Sequence, residues 1–178
     1  SIPPNTESRD LISTSIESEA PQFFQDILQK VMIYEGDNLP VSAFPPDGTY
    51  PSATSQWEKR NIAMEIPIWE PDLCIQCGKC SLVCPHAAIR QKVFERSFID
   101  EKPNTFKYAP AKFKEFPDCL FTLQVSPDDC TGCGLCVEIC PIKARDGLGE
   151  KAINLHSQSL LRESENDNWK FFMHLPDM

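Results

Sequence analysis

The sequence lacks an uninterrupted apolar stretch of about 18 residues, which argues against a segment that crosses a bilayer. It also lacks an excess of basic residues, since 17 Lys and Arg stand against 26 Asp and Glu. The resulting net charge of −9 argues against nucleic acid and against an anionic membrane surface as partners. Residues 1–4 show no basic region leading into an apolar run, so no secretory signal is expected and a cytoplasmic location is predicted.

Histidine and glycine are also scarce. The three histidines, His86, His156 and His174, are scattered, and no acid/base, nucleophile or phosphate-binding constellation accompanies them. No catalytic residue is therefore predicted. Seven glycines against 16 prolines predict long irregular segments instead of stacked regular elements.

Cysteine is abundant, and its spacing is the main signal. Residues 74–85 and 130–141 both read C-x₂-C-x₂-C-x₃-C-P, the pattern of bacterial ferredoxins that bind [4Fe–4S] clusters. Three cysteines at intervals of three let one tight loop place a thiolate on each of three irons. Gly78 and Gly134 occupy the same place in each loop, where a residue without Cβ permits a positive φ beside the cluster.

The fourth cysteine of each run precedes proline, and in two-cluster ferredoxins this cysteine binds the other cluster. The predicted iron ligands of the first cluster are Cys74, Cys77, Cys80 and Cys140. The predicted iron ligands of the second cluster are Cys130, Cys133, Cys136 and Cys84. Neither site could then form from one run alone.

The two runs form an internal repeat. Residues 71–85 align with residues 127–141 at a constant offset of 56, with eight of 15 positions identical, which suggests a pseudo-two-fold module. Zinc binding and disulfides are the alternatives, and the spacing favours clusters over both. Cys119, the ninth cysteine, lies outside the spacing; a redox thiol is one interpretation, and a small buried apolar side chain is the favoured one.

Other signals place the runs in a fold. A helix is predicted over residues 21–35, with Pro21 at its start and Gly36 at its stop, and its apolar face includes Val31. Residues 1–19 are expected to form an extended arm. Strands are predicted at residues 62–69 and 121–125, with shorter closing segments at 87–89 and 152–155. The predicted fold class is α+β: a small bacterial 2[4Fe–4S] ferredoxin-like domain with long irregular N-terminal and C-terminal extensions.

The spacer between the runs is basic for so acidic a chain. Residues 86–118 carry seven basic and five acidic groups. Mixed charge usually marks a solvated surface, which is the favoured interpretation. The alternative is a docking face for an acidic electron carrier that includes Lys112 and Lys114.

Several segments outside the runs carry a resemblance. From about residue 36 onward the chain resembles pyruvate:ferredoxin (flavodoxin) oxidoreductase. The segments that carry the resemblance are residues 48–51, Trp57–Ala63 with its Glu-Lys-Arg core, 146–152, 160–163 and 169–172. The resemblance implies that this chain is the inserted ferredoxin-like domain of a larger enzyme. The divisions would be residues 1–63 for the arm, helix and Glu-Lys-Arg segment, 64–156 for the cluster domain and 157–178 for a C-terminal linker.

The resemblance also implies a reaction. The enzyme family converts pyruvate and coenzyme A to acetyl-CoA and CO₂, using thiamine diphosphate, Mg and a third [4Fe–4S] cluster in its other domains. This chain would pass single electrons to ferredoxin or flavodoxin, with the remaining domains as its partners. The alternatives are a subunit of a hydrogenase or formate-linked complex, and a structural module held together by clusters.

Overall fold

A computed structural model describes residues 20–142 and 150–178. The chain divides into two compact units, one that ends at Arg60 and one that runs from Asn61 to Met178. Within the described ranges, every helix is too short or too polar to cross a bilayer. The predicted arm, residues 1–19, and most of the segment 146–152 lie outside the described residues.

The first unit is built around one helix, which runs as a π-helical stretch over Phe24–Leu28 and continues as α1 (Gln29–Met32). Its buried face packs against Trp57 and comprises Ala20, Phe24, Leu28 and Met32. The predicted stop at Gly36 is wrong because the left-handed φ of 64° falls on Tyr34. Val31 is exposed and not part of the apolar face, since the π-helical turns rotate it away.

The second unit contains five short strands. They are β1 (Glu65–Trp69), β2 (Ile89–Phe94), β3 (Ala109–Pro110), β4 (Leu120–Val125) and β5 (Ile153–Ser157). β1 pairs antiparallel with β5, with Glu65 opposite Ser157. β4 lies between β2 and β3 and pairs antiparallel with both. The strands predicted before the two runs are confirmed, whereas the closing segment predicted at residues 87–89 overlaps β2 only at Ile89.

Two hydrophobic cores pack against these strands. β4 contributes to both cores and is buried at all six of its residues. The first core comprises Trp69, Ile89, Phe121, Leu123, Val125, Cys136 and Ile153. The second core comprises Phe94, Phe106, Leu120, Phe172 and Leu175. The short helices α2 (Lys79–Val83) and α3 (Leu135–Ile139) follow the first two cysteines of each run, contain the third, and pack against each other.

The C-terminal segment forms α4 (Arg162–His174). Phe172 and Leu175 are buried in the second core, and the Lys92 ammonium of β2 donates to the Leu175 carbonyl at 2.6 Å. The prediction of an irregular C-terminal extension is therefore wrong, because this segment forms a helix that buries Phe172 and packs the half-buried Trp169 and Phe171 against the second core. The boundary at residue 157 stays a prediction.

Candidate iron–sulfur sites

Each cysteine run folds as a loop that leads into a short helix. Gly78 and Gly134 precede α2 and α3 with φ of 72° and 74°, so the predicted left-handed glycines are confirmed. A second left-handed residue stands two positions earlier in each loop, namely Gln76 at φ 59° and Gly132 at φ 70°. The two loops therefore turn at the same positions.

The eight cysteines of the runs divide between two cavities. The first cavity is lined by Cys74, Cys77, Cys80 and Cys140. The second cavity is lined by Cys84, Cys130, Cys133 and Cys136. Each cavity is lined by three cysteines from one run and one from the other. This is the same grouping as in the two predicted sets of ligands. That these thiols bind iron stays a prediction.

Both cavities lie against the first core, on which Cys74, Cys80, Cys84, Cys130 and Cys140 pack. Cys80 and Cys136 line different cavities, yet the helices that carry them, α2 and α3, pack against each other. The two cavities are therefore neighbours on one folded body.

Burial keeps several of these thiols protonated when no metal is bound. It raises the pKa of Cys80 to about 11 and that of Cys136 to about 12, and neighbouring thiols add smaller upward shifts. Burial also raises the pKa of Cys130, against the lowering effect of the Gly132 N–H, which donates to its sulfur at 3.4 Å. Metal binding at these positions must therefore displace protons.

The linings fit iron–sulfur clusters in two further respects. Trp69 lines the first cavity, and its indole Nε1–H is buried and has no acceptor among the described residues. An unpaired buried donor costs about 1–3 kcal/mol, and a sulfur in that cavity could accept from it. In the described part of the chain, no group of three or more His, Cys, Asp or Glu is placed to hold one metal ion. A four-iron cluster puts one thiolate on each iron and so spaces its ligands more widely.

The spacer contributes contacts that the sequence analysis missed. The Gln76 amide donates to the Pro110 carbonyl and accepts from the Lys112 N–H, both at 2.8 Å. The Lys112 ammonium then donates to the Cys74 carbonyl at 2.7 Å. The repeat held one usable signal, because Gln76 aligns with Gly132 and so occupies a position where a left-handed turn is expected.

Other groups of the spacer are engaged within the fold. Lys107 bonds to Glu70 at 2.8 Å, and Arg96 donates to the Asp118 carbonyl at 3.0 Å. These contacts reduce the basic surface of the spacer that is free to dock a carrier, and the docking face stays a prediction. Cys119 lines neither cavity and is half-buried, so the burial expected for this side chain is only partial.

Two family descriptions match the chain. Residues 73–144 match the 4Fe–4S dicluster domain. Residues 11–63 match a family named EKR, a domain of unknown function. The first match supports a ferredoxin-like domain that binds iron–sulfur clusters.

Curated relatives place the chain within larger enzymes. It is 53% identical over 160 residues to the pyruvate-flavodoxin oxidoreductase of Nostoc sp., which is 90% of this chain and 13% of the relative. It is 45% identical over 163 residues to the probable pyruvate-flavodoxin oxidoreductase of Escherichia coli, covering 92% of this chain and 14% of the relative. The pyruvate:ferredoxin oxidoreductase of Moorella thermoacetica is 43% identical over 161 residues, covering 90% and 13%.

The chain is homologous to one segment of these oxidoreductases. The resemblance noted from the sequence is confirmed, and because the alignment with the Nostoc relative covers 90% of this chain, the similarity begins earlier than residue 36. The chain spans about 13–14% of the length of these relatives.

Proposed function

We propose that the chain is an electron-transfer domain that holds two [4Fe–4S] clusters. The first site would use the thiols of Cys74, Cys77, Cys80 and Cys140. The second site would use the thiols of Cys84, Cys130, Cys133 and Cys136. The observation that carries the proposal is the arrangement of eight cysteines as two groups of four around two adjacent cavities.

The residues around each site suit this role. When bound, a [4Fe–4S] cluster takes up or releases one electron. The N–H groups of Gln76 and Gly132 donate to the sulfurs of Cys74 and Cys130 at 3.3 and 3.4 Å, which spreads the negative charge of a thiolate. The left-handed glycines before α2 and α3 let the backbone approach the cluster closely.

A pseudo-two-fold relation between the halves belongs to the same proposal. The strand before the first run, β1, pairs with β5 after the second run. The strand before the second run, β4, pairs with β2 after the first run. Each half therefore completes the sheet of the other, as each run would complete the site of the other.

We further propose that the chain is a domain of an oxidoreductase that decarboxylates pyruvate, the substrate named in the names of the relatives. Thiamine diphosphate, Mg and a third cluster would belong to other domains. Electrons would leave to ferredoxin or flavodoxin, and the domain divisions at residues 63 and 156 are part of this proposal. A reducing cytoplasm suits eight cysteines that must stay free to bind iron.

The test is anaerobic iron and sulfide analysis with electron paramagnetic resonance of the dithionite-reduced chain. About eight irons and eight sulfides per chain, with a spin-coupled signal from two reduced clusters, are expected. Cys119→Ser is the matched control and should leave both counts unchanged, because Cys119 lines neither cavity. One or two metals per chain, or no signal on reduction, would refute the relay.

A further inference from the structure

The two candidate sites are alike in their thiols and unlike in their surrounding charge. Lys79 lines the first cavity, and the residue aligned with it in the repeat, Leu135, lines the second. Asp129 immediately precedes the first cysteine of the second run, where the first run has Leu73. Each of these two differences makes the first site the more positive.

The spacer adds a second cation to the first site. The Lys112 ammonium lies 2.7 Å from the carbonyl oxygen of Cys74, a predicted ligand. Gln76 fixes the Lys112 backbone through its side-chain amide, and Gln76 is itself only 4% exposed. At the aligned position of the second loop, Gly132 has no side chain and is covered by the backbone of β1 instead. Gln76 therefore acts as a positioning residue for Lys112.

The hydrogen-bond donors differ in the same direction. Trp69, a residue that lines the first cavity, has a buried N–H with no acceptor among the described residues, and the residue aligned with it is Val125, which has no polar side-chain atom. Among the described residues that line the second cavity, none is Lys or Arg. Beside it, the Lys151 ammonium donates to the Val137 carbonyl at 2.7 Å and so matches Lys112, which leaves Lys79 and Asp129 as the difference in charge. Cations and N–H donors stabilise the more negative, reduced state of a cluster.

We infer that the first site, on Cys74, Cys77, Cys80 and Cys140, holds the more easily reduced of the two clusters. The inference rests on the proposed ligation. It favours the transfer of one electron from the reduced second site to the oxidised first site, with no bond formed or broken and no proton moved. In the one-electron-reduced chain the electron is then located mainly on the first cluster. The reduced second cluster is the stronger reductant.

The test is a redox titration of the chain, reconstituted anaerobically with iron and sulfide and followed by electron paramagnetic resonance. Cys133→Ser alters the signal of the second cluster and thereby assigns the two midpoint potentials. The first cluster is expected to be reduced first.

The repeat supplies a reciprocal pair of variants at exposed positions. Lys79→Leu should lower the reduced-to-oxidised ratio of the first cluster about threefold at fixed potential, or about 28 mV at 59 mV per tenfold. Leu135→Lys should raise that ratio for the second cluster by a similar factor. Lys114→Met removes the same charge from an exposed position further along the spacer and should shift neither ratio by more than about a third of this effect.

Positioning by Gln76 has its own readout. Lys112→Met should lower the potential of the first cluster, Lys112→Arg should retain it, and in a Gln76→Gly background Lys112→Met should have little further effect. Prior reduction of the second cluster, equal shifts in Lys79→Leu and Lys114→Met, or no shift in either reciprocal variant would overturn the inference. A wild-type chain without about eight irons would instead refute the proposed function on which it rests.

Discussion

The exchange of fourth cysteines between the runs can be tested by replacing Cys140 with serine. Cys140 belongs to the second run but lines the first cavity, beside Cys74, Cys77 and Cys80. If it ligates there, Cys140→Ser should damage the first cluster and leave the second intact. Iron should then fall from about eight to about four per chain, or to about seven if a three-iron cluster remains.

The ligation also ties distant parts of the chain. About 60 residues separate Cys80 from Cys140, and closing a loop of this length in the unfolded chain corresponds to about 4 kcal/mol in the chain-entropy model of a cross-link. Because unfolding with cluster loss is irreversible, the effect is best measured as a rate. If the whole of these roughly 4 kcal/mol is lost from the unfolding barrier in Cys140→Ser, the rate of cluster bleaching in urea should rise up to about a thousandfold.

The assay compares five serine variants by iron content, spectrum and bleaching rate. Cys140→Ser should reproduce the spectral change of Cys77→Ser, and Cys84→Ser should reproduce that of Cys133→Ser. The unaltered bleaching rate of Cys119→Ser would show that loss of a thiol alone is harmless. If Cys140→Ser instead alters the same signal as Cys133→Ser, each run ligates its own cluster and the crossed assignment is refuted.

Three further predictions concern stability, measured as denaturant midpoints of the chain. Burial raises the pKa of Glu165, so the contribution of its carboxyl group to stability is complete below its unfolded pKa and is lost as pH rises through its folded pKa. Glu165→Gln should therefore raise the denaturant midpoint at pH 7 and not at pH 4. An equal gain at both pH values would contradict this. Gly132→Ala should cost about 1–2 kcal/mol plus a clash, since its Cβ would lie 3.1 Å from a backbone oxygen of β1; Gly48→Ala has similar φ and open space, so an equal loss there would exclude the clash. Phe172→Ala should cost about 3–5 kcal/mol because Phe172 is 1% exposed, whereas Phe44→Ala at 42% exposure should cost far less.

Local rules account for what the sequence predicted correctly. The spacing of the two runs, and the glycines within them, determine the loop geometry because consecutive ligands and left-handed turns lie within a few residues of each other. The strands before Cys74 and Cys130 were predictable for the same reason, since alternating and β-branched residues define them locally. Homology to pyruvate oxidoreductases was evident from Trp57–Ala63 in combination with the runs.

Long-range packing decided the rest. The C-terminal segment forms α4 because the second core accepts Phe172 and Leu175. The sequence by itself determined that eight cysteines form two runs of four with the same spacing. Only the tertiary structure placed Gln76 and Lys112 against the first loop, because contacts between residues more than 30 positions apart depend on how the strands pair and not on any local pattern.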